Sequence, residues 1–280
     1  MKRVNYAEKL HMVGEGKEAL NPERIKAYLT TTKIGRKIVY RRVIESTNTY
    51  ALNLAKRGEE EGTCVVSDMQ TKGRGRLERK WFSPPNENIY MSIILRPKVL
   101  QDQIYNLAFL SCLAVYDVVK PILESEPALK WPNDVLIKGK KVSGTLIEIA
   151  HGSETLDFAV VGIGLNVNME EEDLPQDLKG VATSLYIETK KKHSRDLICA
   201  NLINNFEKYY LKFLEEGPDV IRILWEEKAK IRGRVLTLQE GEKVILGICE
   251  GLNEKGGLVI KTERGTEVVY TGDLKAMSWS

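Results

Sequence analysis

The chain has 280 residues, 42% hydrophobic and 29% charged, and its 42 Lys and Arg against 39 Asp and Glu leave a net charge of +3. Those proportions exclude an intrinsically disordered chain and suit one large packed unit with a second, small one. The cationic surplus is too slight for a general phosphate-binding coat, so any anion chemistry must be local.

Asn21-Pro22-Glu23-Arg24 reads as a helix start, with a capping side chain, a proline in the first turn and an acid behind it, after about 20 mixed polar residues. The helix should end near Leu29. Residues 37–45 alternate like a half-buried strand, and Ser46-Thr47-Asn48-Thr49 supplies capping hydroxyls to a helix that stops at Gly58. Residues 63–69 and 88–95 read as strands, with a long, basic, Gly- and Pro-punctuated loop over 70–87 between them. Apolar residues at helical spacing predict a buried helix over 103–123.

Four strand-like segments follow, 128–131, 134–138, 142–149 and 156–162, with hairpin turns expected at Gly139-Lys140 and Gly152-Ser153. Strands joined by tight turns make the sheet largely antiparallel. The acidic residues 170–173 read as a loop, residues 194–229 as helix broken at Gly217-Pro218, and residues 231–278 as short Gly-separated strands of a small β-barrel. Cys64, Cys112, Cys199 and Cys249 lie far apart with only three histidines to assist them, so reduced core thiols are expected rather than a zinc site. No stretch reaches the roughly 18 apolar residues of a membrane span, and the start Met1-Lys2-Arg3 leads into charge, so a cytoplasmic location is expected.

Several chemistries are missing. Nothing matches G-x-x-x-x-G-K-[ST], Gly162-Ile163-Gly164 is followed by Val167 where a dinucleotide fingerprint needs glycine, and no G-x-S-x-G is present. An enzyme built on this chain must use a nucleophile carried by its substrates. The loop from Gln70 to Pro85 sets Lys72, Arg74, Arg76, Arg79 and Lys80 among glycines just before Trp81-Phe82, a composition that could wrap a phosphate or carboxylate while the aromatics close over an apolar part. A solvated basic loop, or a nucleic-acid-binding module using it, is the alternative. The Trp131-Pro132-Asn133-Asp134 corner puts a carboxylate at a sheet end, suited to Mg²⁺ beside a nucleotide, with Lys141 returning nearby, although Pro-Asn-Asp is also ordinary turn chemistry. Ser46, Thr47 and Asn48 are equally explained as a helix cap, and the glycines at 162 and 164 as room for close approach.

Taken in order, S-T-N at 46, G-R-G-R at 73, K-W-P-N-D at 130, K-x-x-G-x-L-x-E at 141 and G-I-G-x-N at 162 resemble the biotin protein ligases, over roughly residues 36–278. The resemblance implies an α+β fold: a mixed, largely antiparallel sheet flanked by helices, like that of the class II synthetases and lipoate ligases, with a C-terminal SH3-like barrel. It implies an N-terminal extension over 1–35, a catalytic unit over 36–229 and the barrel over 231–278. It further implies ATP-dependent, AMP-forming activation of biotin and its transfer to a lysine of a biotin carboxyl carrier protein, with Mg²⁺ as cofactor. By the same resemblance Ser46, Thr47, Asn48, Gln70, Arg74, Gly75, Arg76, Trp81, Lys141 and Gly144 belong to the biotin pocket. Arg79, Lys130, Asn133, Asp134 and Asn166 lie on the nucleotide side, Asp134 holds the metal, and Arg76 and Lys141 act at the reacting phosphate. A lipoate or octanoate ligase on the same fold is the nearest alternative.

Two departures stand out. Where the family commonly continues Arg-Gly-Arg after Gly-Arg-Gly-Arg, this chain has Leu77-Glu78-Arg79. About 35 residues precede the catalytic unit, too few for the family's winged helix-turn-helix, so a monofunctional ligase without DNA binding is expected. Exposed sheet edges are compatible with a homodimer or an edge-to-edge carrier complex.

Overall fold

The structure, a computed structural model, describes residues 18–98, 103–151 and 156–279. Asn21 caps α1 (Pro22–Ala27), its side chain accepting from the amides of Glu23 and Arg24. β1 (Ile38–Ile44) runs into α2 (Thr47–Lys56), which Ser46 caps by accepting from Thr49 N. β2 (Cys64–Gln70) and β3 (Ile89–Leu95) bracket the basic loop, and α3 (Asn106–Val119) follows, continued by a short 3-10 turn over Lys120–Ile122. β4 (Ala128–Lys130), β5 (Asp134–Ile137), β6 (Lys140–His151) and β7 (Leu156–Leu165) complete a seven-stranded sheet of order β1-β2-β3-β7-β6-β5-β4. Among the described strands of this sheet only β1 and β2 pair in parallel, so the sheet is mixed and largely antiparallel.

The β5–β6 turn sits one residue earlier than its glycine suggested, because Lys138 and Gly139 both take left-handed conformations, φ 49° and 79°. The expected turn at Gly152-Ser153 lies outside the described residues, as do residues 1–17 of the N-terminal extension. A short helix, α4 (Leu185–Thr189), caps itself through Ser184. It is followed by α5 (Arg195–Glu216) and α6 (Pro218–Ala229), separated at Gly217.

Alternation along the strands divides the core. Cys64, Val66, Ile93, Leu95, Ala159 and Val161 join one apolar cluster with α3, α5 and α6, and the intervening Val65, Ile94 and Val160 join a smaller one with Ala51 and Ala55 of α2. Helix α3 is apolar nearly all round and buried along its length, as a helix between a sheet and other helices must be. Helix α2 covers only part of the opposite face, and the rest of that face holds the site.

β8 (Arg234–Glu240), β9 (Lys243–Leu252), β10 (Leu258–Thr262), β11 (Gly265–Val269) and β12 (Asp273–Trp279) form a second, antiparallel sheet of order β11-β10-β9-β8-β12. Where a small barrel is expected, the described residues form an open strand order, with β12 added to β8 and β11 at the far edge. Leu236, Leu258 and Ile260 share one apolar cluster with Trp225 of α6 and Phe109 of α3, whose tilted rings have centroids 5.0 Å apart, so the core of the second sheet is continuous with the helices. Trp131 Nε1 donates to Gly256 O at 3.2 Å across the same junction.

Candidate active site

The floor of the site is glycine. Gly144 of β6 pairs with Gly164 of β7, and Leu146 with Gly162, which puts the three glycines on the α2 face of the sheet. A Cβ on Gly162 would lie 2.0 Å from Asn48 Oδ1, one on Gly164 2.4 Å from the Trp81 indole, and one on Gly144 2.8 Å from Lys141 Cε. The bare strands let side chains from α2 and from the basic loop lie flat on the sheet. The glycines thus make room for side chains, where the sequence alone pointed to close backbone approach.

A neutral hydrogen-bonding group fills one part of the site. Thr47 donates from its amide and hydroxyl to Gln70 Oε1 at 2.8 and 3.1 Å, and Gln70 Nε2 donates to Ser83 Oγ at 3.1 Å. Ser92 Oγ lies 2.8 Å from Thr47 Oγ1 and 2.6 Å from Asn48 Oδ1. Thr47, Asn48, Ser83 and Ser92 are all buried, and satisfied polar groups of this kind are ready to exchange partners with an amide-like ligand.

A charged group fills the other part. Arg76 Nη1 donates to Asn133 Oδ1 at 3.0 Å, and Asn133 Nδ2 donates to Thr145 O at 2.7 Å. Lys141 Nζ sits 2.7 Å from Asp134 Oδ1 and 5.3 Å from the Trp81 ring centroid. Burial pushes the Arg76 guanidinium and the Lys130 ammonium below their ordinary values, with Asp134 acting in the opposite sense on both. Cations held in that state gain from an anion brought beside them.

The basic loop is folded over the floor. Gly75 N donates to Arg79 O at 2.7 Å and Trp81 N to Gly73 O at 2.9 Å, closing a small hairpin with Leu77 and Glu78 at its tip. Both tip residues take left-handed backbone conformations, φ 53° and 59°. Gly73 cannot carry a side chain, because a Cβ would meet Trp81 O at 2.4 Å. Arg74 forms an ion pair with Glu148, and Arg79 forms one with Asp273 of β12.

Every residue singled out from the sequence as a site residue lines one cavity of about 410 Å³, a size suited to a small-molecule ligand. Two of them are already committed elsewhere. Arg79 is held by Asp273, and Asn166 Nδ2 donates to Thr183 O at 2.9 Å. Sequence reasoning missed Ser83 and Ser92, which carried no pattern, and the lining contributed by Gly272, Asp273 and Lys275 from the second sheet. It also gave no role to Glu148, although the residue closes one of the motifs. Among the described residues no cluster of three or more His, Cys, Asp or Glu could hold a metal, and no helix is long and apolar enough to cross a membrane.

Residues 40–166 match the biotin/lipoate A/B protein ligase family. The bifunctional ligase/repressor BirA of Bacillus spizizenii is 34% identical over 256 residues, covering 91% of this chain and 79% of that protein. The biotin–[acetyl-CoA-carboxylase] ligase of Mycobacterium tuberculosis is 31% identical over 234 residues, 82% of this chain and 85% of that protein. Among solved structures, the biotin protein ligase from Aquifex aeolicus in complex with biotin and ATP superposes with a TM-score of 0.74 at 34% identity, covering 88% of this chain and all of that one.

Proposed function

The chain belongs to the biotin protein ligase family, and from that premise we propose that it is an ATP-dependent ligase that activates biotin as biotinyl-5′-AMP and passes it to a lysine of a biotin carboxyl carrier protein. The observation that carries this reading is the convergence of Arg76 and Lys141, from separate segments, on the Asn133-Asp134 corner beside a neutral, hydroxyl-lined recess. The recess formed by Ser46, Thr47, Asn48, Gln70 and Gly144 takes biotin, under Arg74, Gly75 and Trp81. Lys130, Asn133, Asp134 and Asn166 take the nucleotide.

Biotin's carboxylate oxygen attacks the α-phosphorus of ATP; the new O–P bond forms as the bond to the β-phosphate oxygen breaks, and pyrophosphate leaves with that electron pair. Charge builds on the phosphoryl oxygens, and a preorganised donor aimed there is typically worth about 3 kcal/mol. Arg76 is fixed for that task by Asn133. Lys141 reaches it by exchanging Asp134 for a phosphate oxygen. In the second half-reaction the carrier's lysine amine attacks the acyl carbon of the mixed anhydride and AMP departs. Until then the loop over the glycine floor excludes water.

Mg²⁺ fits the donor set in a limited way. Asp134 is a single carboxylate, and Mg²⁺ is commonly held by one or two carboxylates together with substrate phosphates. Asp134, relieved of Lys141, would hold it, and the ion would supply charge neutralisation on the phosphates. We read residues 231–278 as an SH3-like unit left open, residues 36–229 as the catalytic unit and residues 1–35 as an extension. The protein is read as cytoplasmic, and the edges of its sheets as suited to a homodimer. The reading is tested by giving the purified chain ATP and Mg²⁺ with biotin, lipoate or octanoate in turn and following pyrophosphate. Release with biotin alone is expected; release with lipoate or octanoate but not biotin would overturn it.

A further inference from the structure

We propose that Glu148 is a positioning residue for the vitamin end of the reaction, acting on Asn48 and Arg74 without touching the substrates itself; this rests on the biotin reading above. Glu148 lies on β6, on the same face as Gly144 and Leu146 but outside the cavity lining. Its Oε2 accepts from Asn48 Nδ2 at 3.0 Å and pairs with Arg74. One carboxylate oxygen therefore joins the first turn of α2 to the near strand of the loop hairpin.

Asn48 shows what this does. Its amide nitrogen uses both hydrogens, one on Leu146 O at 3.2 Å and one on Glu148, while Oδ1 faces Ser92 Oγ at 2.6 Å. Asn48 is 3% exposed and its side chain presses onto Gly162, so the network fixes which end of the amide faces which neighbour. Taking away the Glu148 acceptor leaves a buried donor unpaired, a loss on the order of tenfold in an equilibrium that depends on Asn48. The Arg74 pair is more open to solvent, 43% and 24% exposed, and is worth only a few-fold. The two contacts thus predict separable effects.

The test uses the full chain with Glu148→Ala and Glu148→Gln, measuring KM for biotin, KM for ATP, kcat of pyrophosphate release, dissociation of preformed biotinyl-5′-AMP, and thermal melting. Glu148→Ala should raise KM for biotin about tenfold and leave KM for ATP within twofold. Glu148→Gln keeps an acceptor for Asn48 and should restore KM for biotin, yet lose the ion pair, so that adenylate leaves a few-fold faster and its off-rate no longer depends on salt. Arg74→Met should reproduce that off-rate and add nothing on top of Glu148→Gln, and it serves if Glu148→Ala does not fold. Equal losses for biotin and ATP tracking the melting temperature, or wild-type values throughout, would overturn the assignment. If the wild-type chain turns over no biotin at all, it is the function reading that fails, and with it the role assigned to the Glu148 contacts.

Discussion

Gly162 shows how much a single position in this site can decide. Its missing side chain gives Asn48 Oδ1 the space it occupies, so Gly162→Ala forces Asn48, or the strand, to move. We expect Gly162→Ala to weaken biotin binding at least tenfold, read by calorimetric titration, with little change in ATP affinity; undiminished biotin affinity would contradict the role of the floor. At the hairpin tip, Glu78 stands where the family's Arg-Gly-Arg continuation places glycine, and it takes the left-handed conformation that glycine adopts freely. Holding an L-residue there costs about 1 kcal/mol. Glu78→Gly should therefore steady the closed hairpin and slow adenylate release up to about fivefold, measured by filter retention of radiolabelled adenylate; faster release would contradict it.

The basic loop is an element with two anchors, one in each sheet. Arg79 holds Asp273 and keeps its carboxyl below the usual carboxylate range. A lowered value means that the pair is intact above the ordinary value of about 3.9 and is lost only as pH falls through the lowered one. Adenylate release from the wild type should then be flat through neutral pH and quicken only in acid, while Asp273→Asn should release a few-fold faster at pH 7 and lack the acid limb. An acid limb that survives Asp273→Asn would place the loop's second anchor elsewhere. The sequence made this loop stand out because its cations and aromatics crowd into a few residues. It could not reveal the anchors, since Glu148 and Asp273 are carboxylates remote in sequence and the pairing exists only after the sheets assemble.

Across the molecule, the elements and the chemistry-bearing motifs were largely legible, because strand alternation, caps and turn glycines act over a few residues. What stayed hidden is long-range. Asp68, buried on β2, receives Arg195 of α5 at 2.9 Å, Leu20 N at 3.0 Å and the Tyr40 hydroxyl at 2.5 Å, so it ties three separate segments behind the site. Likewise Glu207 accepts from the amides of Thr32, Lys33 and Ile34 at 2.7–2.8 Å. Nothing local marks either acid as different from a surface one. Short Gly-separated strands likewise do not say how far the second sheet curls or which helix lies beside it. Asp68→Ala strands a buried guanidinium and should cost about 3–5 kcal/mol in urea unfolding; a loss below 1 kcal/mol would show the pair to be dispensable. Burial and Asp68 together push the Tyr40 hydroxyl up to about 12. That raised value contributes stability in full below the ordinary tyrosine value of about 10 and loses it as pH climbs through 12, so Tyr40→Phe should flatten the alkaline limb of the stability profile.

Joint action of Arg76 and Lys141 on one phosphorus atom is best tested by recovering the mixed anhydride itself. Full-length protein incubated with biotin, Mg²⁺ and α-labelled ATP should yield bound biotinyl-5′-AMP with one equivalent of pyrophosphate. Lys141→Ala, folded and able to bind biotin, should yield neither. A wild-type protein that forms no labelled anhydride, or a Lys141→Ala variant that forms it at the wild-type rate, would contradict the account.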